Sequence, residues 1–516
     1  MSLNQLGNRS TVARNSVFNL LGQLLPIGAG LLATPYIVRG LGPDGYGILA
    51  IAYMVLGYFS IFDLGLSRAT VKFVAEHLTP EKRHKVPELV WTSLALLLLL
   101  GCGGGAVVAA FVPVAVTHFF KMPASFVGEA KVALVVLAVS MPIILGSDAL
   151  RGVLEATQRF DLVNYVKVPG SVAFYLLAAA AIPFKIGVAG IVCLLVMVRA
   201  ITALAYLILC LRVLPELRER WRFSWQAVRP LASFGGWIMV SNIAAPVFGS
   251  LERFVIASVL SVSALAYYSA PFELVSRLVI FPAAIAPTLF PYFSYYGGHN
   301  LREVSDTTSR SLKYLLLLIT PVTAVFVFFA RQILLVWLGP NFASHSTEVM
   351  QILAIGVFWN ALAYVPYTSV QALGRPDLKA TLDLVALPAY AVGCWVLTHQ
   401  FQINGAAWAK LLITIADTSV LFVFAWRMKS FSIRDCTSGP VLRALIASGG
   451  LLAMVYLVAS LHLALLVSAF LVTICFALYA AAFWILAVDA EERAVVTMLV
   501  RRAVGIPEPE AETVVQ

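Results

Sequence analysis

The sequence predicts an all-α polytopic membrane protein, with about 14 transmembrane helices arranged as two parallel six-helix lobes plus two extra C-terminal helices. Three observations carry this. The 516 residues are 60% hydrophobic and 12% charged, with mean hydropathy +0.89, whereas a soluble domain carries about a quarter charged residues. Apolar runs of about 19 to 29 residues fill nearly the whole chain, each long enough for a helix to cross a hydrocarbon core of roughly 30 Å. Short motifs also recur about 216 to 220 positions apart, six runs later.

In order, the first six runs are 15–38, 46–69, 89–116, 129–150, 165–183 and 187–211. The next six are 233–256, 265–293, 312–338, 348–373, 379–398 and 404–427, and the last two are 441–461 and 463–488. The first follows a polar start with Arg9 and Arg14 and is too long for a signal-peptide core, so it is expected to stay as a span with the amino terminus inside. In the third, Gly101, Gly103, Gly104 and Gly105 read as close helix packing, because no strand precedes them to build a phosphate loop. Between the last two, VASLHLALL offers little turn chemistry. A single helix over 441–488 would nevertheless be roughly 70 Å long, so two spans are expected there.

Alternation of the runs places 27 of the 36 Lys and Arg residues on one side, which the positive-inside rule makes the cytoplasmic side, with both termini on it. Arg39, Lys121, Lys131, Lys185, Arg253 and Arg331 fall on or beside the opposite side. This bias explains the net charge of +10 without nucleic acid. The six cysteines show no CxxC or paired spacing and read as free and packed. No HExxH, Walker loop or GxSxG is present, so no metal site, cofactor or nucleotide hydrolysis is expected.

The repeat has a position as well as a pattern. Ala156, Arg159, Asp161 and Leu162 recur as Ala372, Arg375, Asp377 and Leu378, after spans four and ten. Pro26 matches Pro246, and Gly187 matches Gly405, at nearly the same offset. An even number of spans between copies implies parallel lobes related by an axis along the membrane normal. The alternative, that Arg and Asp are simply common in short cytoplasmic turns, explains the residues but not the shared positions. The expected organisation is therefore a first lobe over 1–211, a linker over 212–232, a second lobe over 233–427, extra spans over 428–488 and a cytoplasmic tail over 489–516. The linker interleaves Trp221, Phe223 and Trp225 with arginines, which beside a membrane marks an interfacial amphipathic segment in preference to a nucleic-acid site.

The stretch NSVFNLLGQLLPIGAGLLATPYIVRGLGPDGYGILAIAYMVLGYFSIFDLGLSRATVKFVAE, Asn15 to Glu76, resembles the amino-terminal signature of Wzx-type polysaccharide-repeat-unit flippases, within the multidrug, oligosaccharidyl-lipid and polysaccharide exporter superfamily. FDLGLSRA and LGPDGYG are its most telling pieces. QALGRPDLKATLDLVALP resembles that group's loop after span ten, and LERFVIASVLSVSALAYYSAPFELVSRL its seventh and eighth spans, with Glu252 where an Asp is common. The resemblance implies a fourteen-span protein of the bacterial inner membrane, not an enzyme. It implies transfer of an undecaprenyl-pyrophosphate-linked oligosaccharide to the periplasmic leaflet, for O-antigen, capsule or exopolysaccharide. The implied partners are that glycan lipid, membrane lipids, and polysaccharide polymerase and chain-length machinery.

The residues offer a wall for each part of such a substrate. For the diphosphate, Arg199, Arg277 and Lys410 are cations well inside spans, where an unpaired charge costs at least about 2.5 to 3.5 kcal/mol. Glu273, one turn before Arg277, is an equally good reason for that arginine. Arg199 and Asp417 stand 218 apart, at equivalent points of the expected lobes, with local pairing of each preferred over pairing with one another. For the glycan, Asn15, Asn19 and Gln23 share one helix face, and Asn360, Tyr364, Tyr367 and Gln371 share another. Polar glue between helices is the competing role for these. For the tail, the last two spans are nearly featureless apart from Trp484. Coupling to an ion gradient, H+ or Na+, needs an embedded carboxylate, and Glu252, Glu273, Asp417 and Asp63 qualify by position. For Asp63 an interface salt bridge or gate latch with Arg68 is the preferred reading.

Three rivals share some of these features. A multidrug exporter of the same superfamily has less need for cations within spans or for two extra helices. A peptidoglycan-precursor flippase has similar chemistry but not this amino-terminal signature. A polysaccharide polymerase or ligase would need a sizeable outward loop with grouped acid and base residues, and every outward loop here is short.

Overall fold

The computed structural model describes residues 9–219, 222–434, 439–489 and 492–493, and among them it contains helices and no strands. The side chains of residues 9–23, 60, 219, 230, 232–246, 287 and 440 lie outside this description. An all-helical solution follows from the composition, because in hydrocarbon every backbone N–H and C=O must be satisfied within its own segment. Eleven helices among the described residues are long and apolar enough to cross a membrane. Their outer faces carry large exposed apolar side chains such as Leu99 (70%) and Leu466 (84%), as a lipid-facing surface requires.

The helices used below are α1 (Arg9–Tyr58), α2 (Leu66–His77), α3 (Val86–Val114), α4 (Ala124–Ala156), α5 (Phe160–Ala181), α6 (Val188–Val213), α7 (Glu216–Glu219) and α8 (Trp225–Val259). They continue with α9 (Val262–Ser276), α10 (Ile280–Gly297), α11 (Leu301–Phe328), α12 (Ala330–Trp337), α13 (Pro340–Ala372), α14 (Pro376–Arg427), α15 (Pro440–Ser460) and α16 (Leu465–Leu486). Two of them turn a corner part-way: α1 at Gly42 (φ 69°) and α14 at Gln402 (φ 53°). The break expected near residue 462 lies between α15 and α16, where His462 takes a positive φ of 48°.

The helices group into two compact units. Among the described residues, one comprises those up to 277 together with 334–349 and 380–410, and the other 278–333, 350–379 and those from 411 on. In the first unit α3 lies directly on α4, and a Cβ on Gly101 would sit 2.5 Å from Pro142 Cα. The glycines of α3 therefore permit backbone contact, as expected of small residues in membrane helices. Beyond α6, the short α7 is held against the start of α3 by Arg83 to Glu216 (2.7 Å) and by the Trp91 indole donating to Leu217 O (3.3 Å). Phe223 and Trp225 meet edge to face at 5.2 Å, and Trp225 is 79% exposed.

In the second unit α15 and α16 dock on α11 through a core that includes Leu312, Leu316, Leu451, Tyr479 and Phe483. Near the end of that core the fully buried Lys313 of α11 meets Glu492, just past α16, at 2.5 Å. Burial works against the charged form of Glu492, but its bonds from Lys313 and the Asp489 N–H, with the Lys313 and Arg310 charges, outweigh it and hold the carboxyl below the usual range.

The two copies of the repeated motif fold alike. Arg159 grips Asp161 with two bonds of 2.9 Å, and Arg375 grips Asp377 with two of 3.0 Å, one from Nε and one from Nη2 in each case. Each arginine is preceded by a residue of positive φ, Gln158 (58°) and Gly374 (81°), and each opens the next helix.

Candidate functional site

The first unit holds a cationic cavity of about 300 Å³ between α4, α5 and α6. Arg151 on α4 bonds to Asp148 three residues earlier (3.3 Å) and approaches Glu155 four residues later (3.6 Å), the spacing that places all three on one helix face. Lys167 and Tyr175 of α5 and Arg199 and Thr202 of α6 complete the ionisable and hydroxyl lining, with Ser147, Ser171 and Tyr206. Three cations therefore surround one lining acid, Asp148. Arg199 lies over the Phe174 ring (5.5 Å), and Phe174 contacts both Tyr53 (5.3 Å) and Tyr175 (5.7 Å). A guanidinium over an aromatic face can still direct N–H groups, in its own plane, at acceptors.

Tyr175 ties this cavity to a further predicted cation. Arg277 Nη2 donates to the Tyr175 hydroxyl (3.2 Å) and to Glu273 Oε2 (3.3 Å). The pairing of Arg277 with Glu273 inferred from spacing is thus present, and the same arginine also reaches the cavity wall.

Lys410, grouped by sequence with the substrate cations, has a different neighbourhood. Its Nζ is 3.5 Å from Glu252 Oε2 and donates to Phe248 O at 3.1 Å. It also lies over the Tyr390 ring (5.5 Å), and the Tyr390 hydroxyl donates to Glu252 Oε2 at 2.7 Å. Glu252 is fully buried, and among the described residues its other oxygen, Oε1, has no geometrically assigned hydrogen bond. A proposed substrate ligand and a proposed coupling acid therefore form one buried cluster in the first unit.

The remaining predicted residues are not among those that line the cavity. Asp417, in the second unit, is bonded to Lys379 at 2.8 Å, so its pairing is local. Asp63 accepts from the Ser67 N–H (3.1 Å) and hydroxyl (2.6 Å), closing the first turn of α2. Asn360 and Tyr364 lie half-buried on α13 in the second unit, and further along that face Gln371 donates to the Tyr367 hydroxyl (2.6 Å). Asn15, Asn19 and Gln23 lie on α1, and their side chains are outside the described residues. Among the described residues no His, Cys, Asp and Glu group could hold a metal ion, and no cysteine is in a disulfide.

Sequence reasoning missed Asp148, Arg151, Lys167, Phe174 and Tyr175. By sequence, Arg151 and Lys167 fall among the 27 cations of the expected cytoplasmic side. The legible signal was the acid, base, acid spacing of Asp148, Arg151 and Glu155, together with Lys167 and Arg199 in adjoining spans.

A family profile described as "Polysaccharide biosynthesis protein" matches residues 12–296, over half of the chain. The chain belongs to this polysaccharide biosynthesis family. Its relatives include a candidate O-antigen transporter of Shigella flexneri, 28% identical over 81% of this chain and 99% of that protein. They also include a succinoglycan biosynthesis transport protein of Rhizobium meliloti, 26% identical over 70% of this chain and 69% of that one. In fold, the family member resembles a lipid II flippase in an inward closed conformation, with TM-score 0.71 and 12% identity over 91% of this chain and 98% of the other. A multidrug resistance transporter of the multidrug, oligosaccharidyl-lipid and polysaccharide exporter superfamily gives 0.68 and 14% over 80% and 98%. The family placement and the fold together make this chain a multi-pass membrane protein of the polysaccharide biosynthesis family, built on the same fold as those two transporters.

Proposed function

We propose that the protein flips an undecaprenyl-pyrophosphate-linked oligosaccharide repeat unit from the cytoplasmic to the periplasmic leaflet of a bacterial inner membrane, by alternating access, for surface polysaccharide assembly. The observation that carries this reading is the cationic cavity, where Arg151, Lys167 and Arg199 surround Asp148 and Tyr175 leads on to Arg277. A diphosphate is a dense acceptor anion, and guanidinium groups recognise it through charge-assisted bonds. The hydroxyls of Ser147, Ser171, Thr202 and Tyr206 give the adjoining sugar both donors and acceptors. Asn360 and Tyr364 of the second unit, with Asn15, Asn19 and Gln23, are assigned to the rest of the glycan.

The Glu252 and Lys410 cluster is the coupling site in this reading, where a fully buried carboxylate exchanges H+ or Na+. Glu273, Asp417 and Asp63 are the other acids carried for coupling or gating. Two parallel lobes over 1–211 and 233–427, joined by 212–232 and followed by 428–488 and the tail, are supported by the matched turns at Arg159 and Arg375. The charge bias supports fourteen crossings with both termini cytoplasmic. The glycan lipid would pass to polymerase and chain-length machinery.

Depletion of the protein in its host tests the reading. Intact repeat units should accumulate on the cytoplasmic leaflet while surface polymer is lost, and Arg199→Ala and Arg277→Ala should reproduce both effects. Persistence of surface polymer, with new sensitivity to cationic drugs, would overturn it in favour of drug export.

A further inference from the structure

At one end of the first unit, three charged side chains from the first half of the chain each reach a helix end belonging to the second half. Lys121, in the turn between α3 and α4, donates its backbone N–H to Ala257 O (3.0 Å) and accepts from the Val262 N–H (3.0 Å). Its Nζ donates to Val259 O at 2.6 Å. Ala257 and Val259 are in the last turn of α8, where carbonyls are unpaired and the helix dipole is negative. Arg39 of α1 stands 3.5 Å from Val336 O and Trp337 O, at the end of α12. Asp44 takes the opposite role, accepting from the Ser263 hydroxyl in the first turn of α9, where the dipole is positive.

Each charge therefore matches the sign of the helix end it covers. The backbones also close up here, since Gly47 of α1 faces Val262 with no room for a Cβ. All three residues lie where odd-numbered spans give way to even-numbered ones, which places them on one side of the membrane.

We propose that Arg39, Asp44 and Lys121 are positioning residues for transport: they form the latch that closes the periplasmic end and must let go in every cycle. The inference rests on the alternating-access flippase reading. Helix-end caps suit the task, because each is weak, depends on sign and geometry, and re-forms without a covalent step.

The test uses the full-length protein with its six cysteines replaced by alanine and Asp44→Cys paired with Ser263→Cys. An oxidant should cross-link the pair in intact cells and stop delivery of surface polysaccharide, a reductant should restore it, and each single cysteine should leave delivery indifferent to oxidant. A second measurement covers a pair that fails to assemble. Ala266→Cys, at a fully buried position of α9, should react several-fold faster with a membrane-impermeant thiol reagent when Lys121→Met or Arg39→Gln is added. Continued delivery by the cross-linked protein, or unchanged labelling in those variants, overturns the latch while leaving the flippase reading intact. If depletion of the wild-type protein spares surface polymer, the flippase reading falls and the latch falls with it.

Discussion

Lys410 lies 3.5 Å from Glu252 inside the first unit, a cation and an acid 158 positions apart in sequence whose charges answer each other. Glu252 is wholly buried and is also bonded by the Tyr390 hydroxyl. Removing one member of such a pair strands the other charge, at a cost of about 3 to 5 kcal/mol, whereas replacing both can be nearly neutral. Glu252→Gln and Lys410→Met alone should each lower the thermal midpoint of the purified protein clearly, and the double variant should recover most of the loss. Additive losses would show that the two groups do not act together.

Tyr175 joins Arg277 to the cavity through one hydrogen bond. Tyr175→Phe keeps the ring packing and removes only that bond, worth roughly 0.5 to 1.5 kcal/mol, so surface polymer output should fall about three- to tenfold. Arg277→Ala should abolish output. Arg277→Lys should retain a fraction, because an ammonium keeps the charge but not the fork that reaches Tyr175 and Glu273 together.

Lys313 and Glu492 make a different kind of pair, one that fastens the segment after α16 to α11. Glu492→Gln should destabilise the second unit by about 3 to 5 kcal/mol, with recovery in Lys313→Met combined with Glu492→Met. Because the folded carboxyl titrates below its unfolded value of about 4.3, the stabilisation is complete above that value and is lost as pH falls through the folded pKa. Thermal midpoints from pH 7 to 3 should therefore drop more for the wild-type protein than for Glu492→Gln, converging at the acid end.

The bidentate pairs Arg159 with Asp161 and Arg375 with Asp377 sit in exposed turns. Exposed ion pairs contribute little to stability. Asp161→Asn and Asp377→Asn should leave the thermal midpoint almost unchanged, as measured in detergent. A large drop from either would show that the turn, and not the helix packing around it, holds its part of the fold together.

Gly101 faces Pro142 across the α3 and α4 contact with no room for a side chain. Gly101→Leu should force the helices apart and reduce the folded yield in membranes. Gly103→Leu, at an open position, should be tolerated.

The fold was legible because composition and run length leave little choice. A chain with so few charges and such long apolar runs must satisfy its backbone within helices. The bond between Arg277 and Glu273 was legible for a similarly local reason, since four residues make one helical turn. The partner of Lys410 was not, because Glu252 lies on another helix and helix periodicity says nothing about which faces meet. The place of Lys167 and Arg151 in the cavity was not legible for a related reason: near a span end, a cation that sets topology and one that lines a cavity look identical in sequence.

The sequence by itself determined that this is a helical membrane protein and that Arg159 and Arg375 begin similar turns. These are set by hydrophobic length, by charge bias and by residues a few positions apart. Only the tertiary structure decided that Arg151, Lys167 and Arg199 share a cavity, that Tyr175 leads from it to Arg277, and that Lys121 reaches the end of α8 and Asp44 the first turn of α9. Those choices depend on how helices rotate and approach, which is fixed by packing between segments far apart in the chain.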